Sequence, residues 1–90
     1  MNWAYELTAD AQQDLADLPK AIQKRVARVA AQMAATDEPF QGDVKALRGD
    51  EWKGVFRRRI GDYRILFTVD QEHKLIRVLR ILLRSGKTYR

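Results

Sequence analysis

The chain has 90 residues and a mass of 10.5 kDa, which allows a single domain spanning 1–90 and excludes a two-domain enzyme. With 46% hydrophobic and 32% charged residues it is a folding sequence and not a disordered tail. The absence of cysteine removes disulfide scaffolds, thiolate zinc sites and cysteine nucleophiles together.

The formal charge of +5 is unevenly placed. Residues 1–51 carry six basic and nine acidic side chains, a net of −3, whereas residues 52–90 carry 11 basic against three acidic, a net of +8. Such asymmetry points to a polyanion as partner of the second half. Apolar stretches such as Ala30–Ala35 and Ile81–Leu83 are far too short to span a bilayer. No basic-then-apolar leader precedes Trp3, so a cytoplasmic protein without a membrane partner is expected.

In chain order, Trp3–Leu7 alternates large residues with Ala4 and Glu6 and reads as a short strand. Thr8 offers a hydroxyl for an N-cap, and Asp10 sits where the helix dipole favours an anion. Ala11, Leu15 and Leu18 then form one apolar helical face. Pro19 breaks that helix and suits the first position of the next. Ile22, Val26, Val29, Ala30 and Met33 extend a second, longer amphipathic helix, folded back on the first as an αα-hairpin. Pro39 and Gly42 mark 36–43 as a loop. Four strands are expected after it: Val44–Leu47, Lys53–Ile60, Tyr63–Val69 and Leu75–Leu82. Gly61-Asp62 is a two-residue hairpin signal with glycine where a type II′ turn needs it, and Asp70–Lys74 is a second, polar turn. The fold class is therefore α+β: an N-terminal strand, a two-helix hairpin, then an antiparallel meander with the helices on one sheet face.

If Gly61-Asp62 is the whole loop, Ile60 faces Tyr63, Arg59 faces Arg64, Arg58 faces Ile65, Arg57 faces Leu66 and Phe56 faces Phe67. Alternation then puts Phe56, Ile60, Tyr63, Ile65 and Phe67 on the face that seats the helices. Arg58 is the exception on that face and is expected near an edge, with its head reaching outward. The opposite face carries Arg57, Arg59 and Arg64. Like charges opposed across a sheet are destabilising, so this cluster is read as a phosphate-binding surface rather than a solvated one.

The remaining chemistry is narrow. The single histidine, His73, falls in a turn, and imidazole acid–base pairs are impossible. Asp37-Glu38 and Asp50-Glu51 read as capping or solvating pairs and not as magnesium ligands. No glycine-rich phosphate loop or nucleophile elbow occurs. What is left is phosphate chemistry without metal or cofactor, run by arginines, lysines and a tyrosine. RNA cleavage suits such a set, because the 2′-hydroxyl supplies the nucleophile and guanidinium groups can stabilise the pentavalent anion. Lys53, Lys87 and Tyr89 are the better proton-transfer candidates.

The segment Leu47-Arg48-Gly49-Asp50 with Val55–Ile65 (VFRRRIGDYRI) resembles the RelE/ParE family of bacterial toxins. So do the opening Tyr5-x-x-Thr8-x-x-Ala11-x-x-Asp14-Leu15-x-x-Leu18-Pro19 and the ending Gly86-Lys87-x-Tyr89-Arg90. The resemblance covers essentially the whole chain and implies a microbial-ribonuclease-like fold and the toxin of a type II toxin–antitoxin system. It implies a cognate antitoxin as partner, with operator DNA reached only through that antitoxin. In the RelE branch the implied activity is metal-independent cleavage of mRNA in the ribosomal A site; in the ParE branch the target is DNA gyrase. Carried over residue by residue, Arg64 matches the arginine on the scissile phosphate, and Arg57 falls where the RelE branch often has lysine. Tyr89 matches a C-terminal tyrosine that stacks or assists proton transfer, and Arg84 lies close to a late basic residue. Lys53, Arg59, Lys87 and Arg90 are the expected RNA contacts. Val55 stands where some active members have lysine.

Overall fold

In the computed structural model the residues described are 3–35 and 44–83. The elements are β1 (Ala4–Leu7), α1 (Ala9–Ala16), α2 (Lys20–Ala35), β2 (Val44–Ala46), a 3-10 turn at Asp50–Trp52, β3 (Phe56–Ile60), β4 (Tyr63–Asp70) and β5 (Leu75–Leu83). The strands form one sheet in the order β1-β5-β4-β3-β2. The expected antiparallel meander is β2 to β5, and β1 joins it in parallel beside β5, making the sheet mixed.

Local chemistry explains most of the boundaries. The Thr8 hydroxyl accepts a hydrogen bond from the Ala11 amide at 3.2 Å, the N-cap that the sequence predicts. Pro19 stands one residue earlier than expected: α2 begins at Lys20, and the Pro19 carbonyl accepts the Ile22 and Gln23 amides at 2.9 Å each. Gly61 has φ 56° while Asp62 keeps a negative φ, the combination of a type II′ turn. The β3 strand is shorter than expected. Trp52 lies in the 3-10 turn, the Val55 amide bonds back to the Trp52 carbonyl at 2.9 Å, and Gly54 has φ 81°, so Lys53 and Gly54 belong to a turn and extended backbone starts at Phe56.

The core sits between the helical hairpin and one sheet face. Ala11, Val26 and Met33 pack with Ile60, Ile65, Phe67, Ile76, Val78 and Ile81, the helix and strand faces that the apolar spacing selects. Phe56 and Phe67 oppose one another across β3 and β4, ring centroids 5.9 Å apart. Arg58 shares this side and is half-buried on β3, the strand next to the edge strand β2. Among the described residues no helix is long and apolar enough to cross a membrane.

Candidate cationic site

The hairpin register is the one a two-residue loop dictates: Ile60 opposes Tyr63, Arg59 opposes Arg64, Arg58 opposes Ile65 and Arg57 opposes Leu66. Arg57, Arg59 and Arg64 therefore share the face turned away from the helices. β2 adds a cation that the sequence did not disclose, because Lys45 opposes Arg57. Two adjacent cross-strand pairs on this face, Lys45/Arg57 and Arg59/Arg64, are thus like-charged. Opposed Cβ atoms in a sheet are about 4.5–5.5 Å apart, so the four cations form one patch. Lys45 was illegible because nine residues, including Gly49 and Gly54, join β2 to β3; no short turn fixed that register.

The patch is not a simple solvated surface. Leu66 is 1% exposed and Arg57 only 7%, while Arg59 and Arg64 are half-buried and Lys45 is exposed. The β5 strand continues the rows: Leu82 opposes Arg64 and Arg80 opposes Leu66. Here the acids of the N-terminal half are used. Arg80 donates through Nε and Nη2 to the Asp14 carboxylate at 2.7 and 3.1 Å, and Arg77 Nε donates to Glu6 at 2.6 Å. Burial alone would raise the Asp14 pKa, but hydrogen bonds from Arg80 and the Ile81 amide, with the Arg80 charge, hold it below the usual carboxylate range. The same contacts push the Arg80 pKa up.

Of the residues singled out from sequence, Arg57, Arg59 and Arg64 come together, and Lys53 sits apart in the turn before β3. Arg84, Lys87, Tyr89 and Arg90, like Asp37-Glu38, lie outside the described residues. His73 is exposed and pairs through Nδ1 with Asp70 at 2.8 Å; its hydrogen bonds lower the Asp70 pKa. Among the described residues no group of three or more acidic or histidine side chains is placed to hold a metal ion. On the helix side lies a small apolar cavity of about 90 Å³, lined by Tyr5, Leu7, Leu15, Val26 and neighbours. Chemistry that needs charge belongs to the opposite face.

Residues 5–87 match the family described as the ParE toxin of the type II toxin–antitoxin system parDE. Among solved structures, the fold is similar to the RelBE2 toxin–antitoxin complex of Mycobacterium tuberculosis, at 32% identity, covering 93% of this chain and 100% of that one with a TM-score of 0.81. It is similar to the archaeal RelE–RelB complex of Pyrococcus horikoshii, at 27% identity, 96% and 99% coverage and a TM-score of 0.78. The isolated RelE toxin of E. coli, at 11% identity, shares the fold over 94% of this chain and 87% of that one with a TM-score of 0.71. No curated protein sequence matches. The matched span, the mixed sheet and the arginine-bearing hairpin agree, and the chain belongs to the RelE/ParE family of type II toxin–antitoxin toxins.

Proposed function

We propose that this toxin inhibits translation as a ribosome-dependent, metal-independent endoribonuclease acting on mRNA in the A site. The observation that supports the reading is the pair of adjacent like-charge cross-strand contacts, Lys45/Arg57 and Arg59/Arg64, on one face of a small sheet. A chain of phosphates is the natural complement of four cations gathered on one face. In the reaction the substrate's 2′-oxygen bonds to the adjacent phosphorus, its proton leaves to a base, and the P–O5′ bond breaks as the 5′-oxygen takes up a proton. Arg57 and Arg64 stabilise the charge of the pentavalent phosphorane, with Arg84 as a third cation. Tyr89 stacks on a base or shuttles a proton, and Lys53 and Lys87 are the other candidates for proton transfer. Arg59, Lys45 and Arg90 hold the strand by its phosphates. Two of the similar solved structures are toxin–antitoxin complexes, and an antitoxin with acidic and apolar anchors is the proposed cytoplasmic partner here.

A second reading is a non-catalytic inhibitor of DNA gyrase, favoured by the match to the ParE description over 5–87. Ribosomes programmed with a defined message and probed by primer extension separate the two. The nuclease reading expects new RNA ends that vanish in Arg64→Ala at matched expression. For Tyr89, a stacking role expects Phe to act nearly as wild type and Ala to fail, since base–aromatic stacking is worth about 1–3 kcal/mol. A proton-transfer role expects Phe itself to lose roughly a hundredfold. Growth arrest with a DNA-damage response and no message cleavage would reject the nuclease in favour of the gyrase reading.

A further inference from the structure

The cationic face is bounded by β5, and β5 is irregular beside it. Leu66 of β4 opposes Arg80 while Phe67 opposes Val78, so Leu79 has no partner on β4 and forms a bulge. A bulge interrupts the ladder and bends the strand, so the residues beyond it are held less tightly by β4 alone. The other edge of β5 changes partner at the same place. β1 pairs as far as Leu7 opposite Val78, and from there α1 and its cap take over. The Thr8 amide donates to the Val78 carbonyl at 3.0 Å, the Thr8 hydroxyl donates to the Leu79 carbonyl at 2.9 Å, and the Asp14 carboxylate accepts the Ile81 amide at 2.9 Å. The same carboxylate holds Arg80 through two nitrogens. Two side chains six residues apart, one capping α1 and one within it, thus replace a neighbouring strand across the bulge.

What this grip secures is the backbone opposite Arg64. The Ile81 amide points outward to Asp14, so by alternation the Leu82 amide points back at β4, where Leu82 opposes Arg64. Burial of Ile81, 3% exposed, chooses which way the strand faces, but apolar contact is non-directional and does not fix how the Leu82 backbone meets Arg64. The three directional bonds that the Asp14 carboxylate accepts from Arg80 and Ile81 do. Asp14 is itself constrained, its side chain 16% exposed and its donors all on β5.

We infer that Asp14, assisted by Thr8, is a positioning residue for the cationic face: it pins β5 beyond the bulge and so sets the backbone against which Arg64 is presented. The kinetic half of this inference rests on the nuclease reading; the structural half does not. The test compares wild type with Asp14→Ala and Asp14→Asn by residue-resolved amide hydrogen exchange and by single-turnover cleavage on programmed ribosomes. In Asp14→Ala the Arg64 and Leu82 amides are expected to lose protection tenfold or more, while Phe67 and Val78, on the other side of the bulge, stay within twofold. The maximal single-turnover cleavage rate is expected to fall at least tenfold, with the half-saturating toxin concentration within twofold. Asp14→Asn keeps an acceptor for Ile81 and loses the charge facing Arg80, so it falls between; it carries the test if the alanine variant does not fold. A uniform loss of protection across Arg64, Leu82, Phe67 and Val78 would overturn the inference, as would unchanged protection at Arg64 and Leu82. So would a drop in cleavage that merely follows the unfolded fraction. Should wild type make no RNA ends, the nuclease reading fails, and the exchange pattern alone decides the role of Asp14.

Discussion

Arg57 and Arg59 lie on the same side of one strand, two residues apart, yet their surroundings differ. Arg57 is 7% exposed and opposes Leu66, itself 1% exposed, so its aliphatic stem is part of what covers that leucine. Arg59 is half-buried and opposes another guanidinium. Truncation of Arg57 to alanine is therefore expected to lower stability by about 1–2 kcal/mol, within the usual range for a buried side chain. Burial thus sets Arg57 apart from the half-buried arginines that share its face. Arg59→Gln keeps the stem, and is expected to shift stability by no more than about 0.5 kcal/mol. Thermal unfolding of both variants checks the ordering. Asp14 gives a pH signature. Its folded pKa lies below the ordinary carboxylate value, so its contribution is complete above the unfolded value and is lost as pH falls through the folded one. The stability gap between wild type and Asp14→Asn should be constant above about pH 5 and narrow below it, because the unfolded carboxyl titrates near pH 4. A gap that widened on acidification would contradict the hydrogen-bond geometry.

At the scale of elements, the β3–β4 hairpin is the unit that builds the patch, and its turn is where it is most open to attack. Gly61 has φ 56°, and a Cβ there would lie 2.9 Å from Nη1 of Arg25 on α2. The arginine tip can move, but the backbone conformation cannot be relieved. Gly61→Ala is expected to cost on the order of 1–2 kcal/mol, the penalty of placing an L side chain in the left-handed region. Urea unfolding measures it, and a neutral result would mean that the turn is not held as described. The same glycine explains why this register is legible from the amino-acid order: two residues between Ile60 and Tyr63 leave one pairing, and pairing fixes faces. Nothing comparable joins β2 to β3, so Lys45 joins the patch through tertiary pairing alone. The strand at Ala4–Leu7 was legible from alternation, but its parallel pairing beside β5 was not, since it depends on a crossover through two helices.

For the whole molecule, the charge asymmetry is resolved into two destinations. Acids of the first half, Glu6 and Asp14, meet cations of β5, while Lys45, Arg57, Arg59 and Arg64 are gathered on the strands beyond. Binding of a short single-stranded RNA should then weaken steeply with salt. For about four phosphate contacts the slope of log K against log salt is about −3, and removing one cation reduces it by roughly 0.7. Fluorescence anisotropy across a salt series, repeated with Arg59→Gln, checks both values. A flat dependence would argue that the face does not track a phosphate backbone.

Much of this arrangement was fixed by local rules. Period 3.6 in the helices and period 2 in the strands assign core faces to Val26, Met33, Ile65 and Phe67, Thr8 caps α1, and a two-residue turn opposes Arg59 to Arg64. These depend on neighbours a few residues away, so the amino-acid order by itself determined them. The tertiary structure alone decided what depends on pairings between distant segments. It set β1 parallel to β5, brought Lys45 beside Arg57, and put Asp14 on Arg80 and Ile81, 66 and 67 residues away in sequence. No periodicity encodes those contacts, because each joins segments that no short turn connects, and the backbone groups at an open strand edge must find partners.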